Sequence, residues 1–138
     1  MIIVYTESAN ASCRQVIHWF QDEEIPYFER RVNEKNPLTK KELGKLMSLT
    51  VNGFDDLLRI RSKFYNNMDI KFEDMSYEEA ISLLINNTEL LKKPIIVDLE
   101  TNKIEVGFNE EKIRIFLPRS YKDIEKNYYK KKSLYLDL

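Results

Sequence analysis

The hydrophobic residues of this chain alternate between strand and helical periods, and one long helical stretch in the middle divides it into three parts. Ile2-Ile3-Val4-Tyr5 is an uninterrupted β-branched and aromatic run, the pattern of a strand buried on both faces. After a polar stretch at residues 8–12, Val16, Ile17, Trp19 and Phe20 recur at helical spacing. Ser12 is a good N-cap with Gln15 at the third helical position, so a helix is predicted over residues 13–23. Ile25-Pro26-Tyr27-Phe28-Glu29-Arg30-Arg31-Val32 reads as a second strand, because Pro26 can only start or edge a strand and the residues after it alternate. A β-α-β order on this scale favours a parallel pair.

From Thr39 the period is helical. Thr39-Lys40-Lys41-Glu42 is a capping box, and Leu43, Leu46, Met47 and Leu49 extend it as an amphipathic helix ending near residues 50–53. Residues 54–60 and 62–67 are helix-like, and Ser76-Tyr77-Glu78-Glu79 opens a further helix through Ala80, Ile81, Leu83, Leu84 and Ile85. Residues 39–86 are thus expected to be all-helical. At Pro94 the strand pattern returns: Ile95-Ile96-Val97-Asp98 is a buried strand, Asn102 a turn residue, and Lys103-Ile104-Glu105-Val106 its alternating hairpin partner. Asn109 caps a last helix through Ile113 and Phe116, which Pro118 ends. The predicted order is β-α-β, a helical insert, then β-β-α. This is an α/β fold with a mixed sheet, one domain over residues 1–119 and a C-terminal tail over residues 120–138.

Composition narrows the class without choosing a function. A chain of 138 residues hides roughly two-thirds of its unfolded surface and can build its own core. Twenty-two basic against 23 acidic residues give a net charge of −1, so overall charge does not promote binding to nucleic acid. No apolar run approaches the roughly 20 residues of a membrane helix, and the N-terminus lacks the basic opening of a secretion signal. A cytoplasmic protein with no membrane association is expected.

The candidate chemistry lies where the first strand meets the first helix, at Asn10-Ala11-Ser12-Cys13. Thiol chemistry on such a framework uses two cysteines three apart, and Asn10 stands where the first belongs. Cys13 is the only cysteine, so no intramolecular disulfide can form. An amide is no nucleophile toward a disulfide or an oxyanion. Two readings of Cys13 stay open: a thiol with a pKa lowered by the helix N-terminus and Arg14, competent for mixed disulfides, or a small buried packing residue. His18, the only histidine, lies five positions on, about 140° around the helix from Cys13, with no second His or Cys to complete a metal site. It is expected to be a partly exposed helix residue. Neither a metal nor a cofactor is expected.

A series of short motifs runs in order through residues 1–119: Tyr5-Thr6 with Ser12-Cys13-Arg14, Glu24-Ile25-Pro26, Pro37-Leu38, Thr50 with Gly53, and Arg61-Ser62-Lys63. It continues through Leu90-Leu91-Lys92-Lys93-Pro94-Ile95-Ile96-Val97-Asp98 and Val106-Gly107-Phe108-Asn109-Glu110 to Phe116-Leu117-Pro118-Arg119. With these motifs the chain resembles the Spx branch of the arsenate-reductase-like (ArsC-related) family. The resemblance implies a thioredoxin-like fold, built from residues 1–33 and 92–119, with residues 39–86 as its helical insert.

It also implies a function. Spx-type proteins are transcription regulators in stress response that bind the C-terminal domain of the RNA polymerase α subunit, without specific DNA binding of their own. The polymerase contact falls on Gly53, where a side chain would block close approach; its other reading is a C-cap of the preceding helix. Arg61 and Lys93 match cations that bind the oxyanion in the enzymes and are linked to the cysteine end in Spx-type proteins. Their other reading is two solvated surface cations. Lys93 stands in place of an arginine and so lacks its planar fork. Pro94 matches the cis-proline position. The tail interleaves Lys122, Lys126 and Lys130–132 with Tyr121, Tyr128 and Tyr129, a pattern either of a solvated tail or of one that tracks a nucleic-acid backbone. Its apolar end is a candidate signal for a Clp-family protease. The alternative to a regulator is a monothiol glutaredoxin-like or arsenate-reductase-like oxidoreductase acting through Cys13, and an interaction protein for some other partner is a third reading.

Overall fold

The computed structural model describes residues 1–59 and 72–118. The elements are β1 (Ile2–Thr6), α1 (Ala11–Asp22), β2 (Phe28–Arg31), α2 (Lys40–Leu49), α3 (Phe54–Leu57), α4 (Tyr77–Asn86), β3 (Ile95–Asp98) and β4 (Lys103–Val106), with 3-10 turns at Phe72–Asp74, Thr88–Leu90 and Lys112–Phe116. The four strands form one sheet in the order β2-β1-β3-β4. β1 runs parallel to β2, with Ile3 opposite Phe28, and antiparallel to β3, with Tyr5 opposite Ile95; β3 and β4 form an antiparallel hairpin. The mixed sheet and the order of its elements follow the hydrophobic pattern.

A central strand carries apolar side chains on both faces because each face has its own core. Tyr5, Ile95 and Val97 point to the side covered by Leu43 and Leu46 of α2, Leu57 of α3, and Ile81 and Leu84 of α4. Ile2, Val4 and Ile96 point the other way, against Val16 and Phe20 of α1 and Ile113, Phe116 and Leu117. Phe20 sits at the centre of the second core, with ring centroids 5.0 Å from Trp19, 5.6 Å from Tyr27 and 6.0 Å from Phe116. Each fully buried Val, Leu or Phe on these faces contributes about 1.5–3 kcal/mol of transfer free energy. The helical segment is therefore not an appendage but the cover of one sheet face.

Four boundaries differ from expectation, each for a local reason. α1 begins at Ala11 and is capped by Asn10, not Ser12: Asn10 is extended (φ −119°, ψ 114°) and its side chain accepts from the Cys13 amide. β2 starts only at Phe28, and Ile25 and Pro26 belong to the connection after α1. Helix α3 stops at Leu57, because Leu58 turns extended (ψ 136°) and bridges to Leu91. The last helix is a 3-10 turn over Lys112–Phe116, preceded by Asn109, whose side chain accepts from the Glu111 and Lys112 amides at 2.9 and 3.0 Å. The predicted helix at residues 62–67 and the tail at 120–138 lie outside the described residues. Among the described residues no helix is long and apolar enough to cross a membrane.

Candidate functional site

The loop between β1 and α1 is built around two side chains. Ala9 adopts a left-handed conformation (φ 55°), which turns the chain from the end of β1 so that Asn10 meets the first turn of α1. The Asn10 amide then works in both directions. Its Oδ1 accepts from the Cys13 backbone N–H at 3.0 Å, capping the helix, and its Nδ2 donates to Glu7 Oε1 at 2.8 Å, with the Lys93 carbonyl oxygen at 3.4 Å. Asn10 is thus a side chain whose donor and acceptor are both engaged within the protein.

Glu7 is the second organiser. Arg59 Nη2 donates to Oε1 at 2.7 Å and Lys93 Nζ donates to Oε2 at 3.0 Å, so one carboxylate takes an amide and two cations. Burial works against its charge, but the hydrogen bonds from Arg59, Asn10 and Lys93 hold the carboxyl below its usual range. Lys93 is buried, its side chain only 2% exposed, which rules out the solvated-cation reading. Burial lowers its pKa, opposed by the bond to Glu7. Its ammonium also donates to the Thr88 carbonyl at 2.7 Å and the Leu91 carbonyl at 3.3 Å. An ammonium has three N–H donors, and these three acceptors use them all.

Cys13 sits directly behind this network, 3% exposed. The sequence left open a lowered pKa, but the structure gives the opposite: burial pushes the thiol up and the Glu7 charge adds to it, outweighing the Glu7 backbone hydrogen bond and the attraction of Lys93. A cleft of about 390 Å³ opens over the loop, lined by Ser8, Asn10, Cys13, Arg14, His18 and Arg31 among others. His18 is exposed on its wall. Among the described residues no group of His, Cys, Asp or Glu is placed to hold a metal ion.

The Lys93–Pro94 peptide bond is cis and leads into β3, whose neighbour Gly107 donates its N–H to the Pro94 carbonyl at 2.8 Å. Asn10, Cys13, Lys93 and Pro94 are thus brought to one place. Gly53 stands apart on the loop from α2 to α3. It is not the C-cap of α2, a position held by Thr50, but the residue that opens α3 with φ 63° and ψ −126°, a conformation that a Cβ disfavours. Asn52 bridges the loop to Asp56, its backbone N–H reaching Oδ2 at 2.9 Å and its Nδ2 reaching Oδ1 at 3.1 Å, while Val51 projects 93% exposed. Arg61 lies outside the described residues.

Two residues of the network were missed in the sequence, Glu7 and Arg59. Glu7 carried a usable signal, being the sole acidic residue among the first 21 and directly following a buried strand. Arg59 carried none, since nothing local separates it from Arg61.

Comparisons with known proteins bear on the family and the fold. The model of the ArsC family matches residues 5–116. The global transcriptional regulator Spx of Streptococcus pneumoniae is 38% identical over 125 residues, spanning 91% of this chain and 92% of that protein. The global transcriptional regulator Spx 2 of Bacillus cereus is 36% identical over 120 residues, 87% of this chain and 89% of that protein. Among solved structures, an ArsC family related protein from Bacteroides fragilis superposes with a TM-score of 0.68 at 25% identity, covering 82% of this chain and 94% of the other. An arsenate reductase from Vibrio cholerae gives a TM-score of 0.72 at 15% identity, over 84% and 97% of the two chains, a likeness of fold alone.

Proposed function

The chain belongs to the ArsC family, and from that premise we propose that it is a transcriptional regulator of the Spx type rather than a reductase, docking through its Gly53 loop onto the C-terminal domain of the RNA polymerase α subunit. The observation that carries this reading is Asn10. Its amide caps α1 and ties off Glu7, so the position of the attacking thiol is spent on structure. Lys93, the described candidate for holding an oxyanion, has all three donors engaged within the protein. Relatives that are Spx regulators along nearly their whole length support the same class.

Mechanistically, the protein acts as an adaptor whose output is binding. A glycine at position 53 keeps the α2–α3 loop free of a side chain where a partner's surface approaches, and the Asn52–Asp56 bonds hold the loop in shape. With one cysteine, buried and with a raised pKa, the protein has no internal disulfide, and its effect is set by its abundance, with a Clp-family protease as the candidate agent of turnover. A role in stress response follows from the same kinship.

The test is a pull-down with purified polymerase α C-terminal domain, with and without reductant. Wild type binds equally in both, and Gly53→Arg, shown folded by circular dichroism, does not. Absence of wild-type binding, or equal binding by Gly53→Arg, overturns the docking reading. Cys13-dependent reduction of a glutathionylated peptide or of arsenate, lost in Cys13→Ser, would establish the oxidoreductase instead.

A further inference from the structure

The helix that carries the docking loop is too short to hold itself. α3 has four residues, Phe54–Leu57, a single turn that closes one or two backbone bonds and is not stable in isolation. Gly53 is half-buried and Val51 and Asn52 are exposed, so the tip of the loop gains little from packing, while Leu57 and Leu58 hold the far end of α3 in the core. Beside that packing, a short extended segment anchors the far end. The Leu58 N–H returns to the Phe54 carbonyl at 2.9 Å, the Lys92 N–H reaches the Leu57 carbonyl at 2.8 Å, and the Arg59 N–H reaches the Leu90 carbonyl at 2.7 Å. The Arg59 side chain then crosses to the other end of the sequence and meets Glu7 Oε1 at 2.7 Å.

Glu7 is itself fixed, by Asn10 from the cysteine loop and by Lys93 from the segment that enters β3. One carboxylate therefore ties three stretches of chain together: the β1–α1 loop, the strand leading out of α3, and the approach to β3. Of the three bonds to it, the one from Arg59 is the bond that reaches the docking element.

We propose that the Glu7–Arg59 ion pair sets the posture of the Gly53 loop, with Glu7 and Arg59 as positioning residues and not as contacts of the partner. This rests on the docking reading above and deepens it. In a chain with one thiol, the link between the cysteine loop and the docking face is electrostatic and uses no internal disulfide. The pair is partly exposed, with Arg59 side-chain exposure of 35% and Glu7 of 20%, so its effect is moderate and shrinks with salt.

Arg59→Gln is the variant to use, because it leaves the Glu7 pair with buried Lys93 intact, whereas neutralising Glu7 strips that ammonium of its counter-charge and risks the fold. Amide hydrogen exchange reads the posture without any partner. In Arg59→Gln the amides of Asp56, Leu58, Arg59 and Lys92 should exchange about fivefold faster, while Leu43 in α2 is unchanged and Arg59→Lys recovers most of the protection. Affinity for the polymerase α C-terminal domain should fall by a similar factor in Arg59→Gln and recover in Arg59→Lys. Unchanged exchange at those amides overturns the proposal, as does faster exchange with unchanged affinity. Wild type that fails to bind the domain refutes the docking reading and this inference with it. Wild type that binds no better than Arg59→Gln refutes this inference alone.

Discussion

Replacing Asn10 by alanine tests whether this residue of the β1–α1 loop is structural. The substitution removes the acceptor for the Cys13 N–H, an N-cap bond whose loss costs about 1 kcal/mol in typical helices. It also removes the donor to Glu7 Oε1. A hydrogen bond to a charged acceptor is worth up to about 1.5–3 kcal/mol, but Glu7 keeps Arg59 and Lys93 and is partly open to water, so about 0.5–1 kcal/mol is the fitting figure. The 3.4 Å approach to the Lys93 carbonyl is too long to count. The expected total is about 1.5–2 kcal/mol, a fall in Tm of about 5–7 °C for a domain of this size. Denaturant unfolding followed by circular dichroism measures it, with Asn10→Ser as the control. Serine keeps a cap acceptor but cannot reach Glu7, so it should lose only the smaller share, about 0.5–1 kcal/mol. An Asn10→Ala variant within about 0.5 kcal/mol of wild type, or a serine variant as unstable as alanine, would refute the assignment of Asn10 as a cap.

Three further outcomes are expected. Gly53→Ala should lose about 1–3 kcal/mol in the same unfolding assay, from backbone strain at φ 63° and not from collision, since the added Cβ would meet only Met47 Cε at 3.4 Å; a neutral result would mean the loop relaxes freely. Alkylation of Cys13 at neutral pH should run at least about 100-fold slower in the native than in the denatured protein, measured by mass spectrometry, because the thiol is buried and its pKa raised. The Glu7 carboxyl lies below its unfolded value of 4.5, so the unfolded chain binds the proton first on acidification. Its contribution is complete above that value and is lost as the pH falls through the native pKa. Wild type should accordingly lose stability on acidification more steeply than Glu7→Gln, provided that variant folds, and parallel curves would count against the network.

Most of the fold was legible because it depends on short-range pattern. Residues 2–5 are apolar without alternation, and that marks a strand with a core on each side, here α1 on one and α2 with α4 on the other. Thr39 and Ser76 announced their helices through side-chain bonds to the amides of Glu42 and Glu79, three residues on. The same logic failed at Ser12, because Asn10 is equally suited to capping and the left-handed turn at Ala9 places it first. It failed at Asn109 as well, where the cap is present but the five residues after Glu111 tighten into a 3-10 turn.

The candidate site divides along the same line. That this chain has one cysteine, with an asparagine three residues before it, is a property of the sequence and needs no coordinates, since composition alone forbids an internal disulfide. What Asn10 does, why Lys93 is buried, and how the cysteine loop is joined to the segment that follows α3 were decided only in three dimensions. Glu7 meets Arg59 across 52 residues and Lys93 across 86. Charges carry no period, and pairing at that separation is chosen by the sheet that brings β1 beside β3 and packs the helical segment over both.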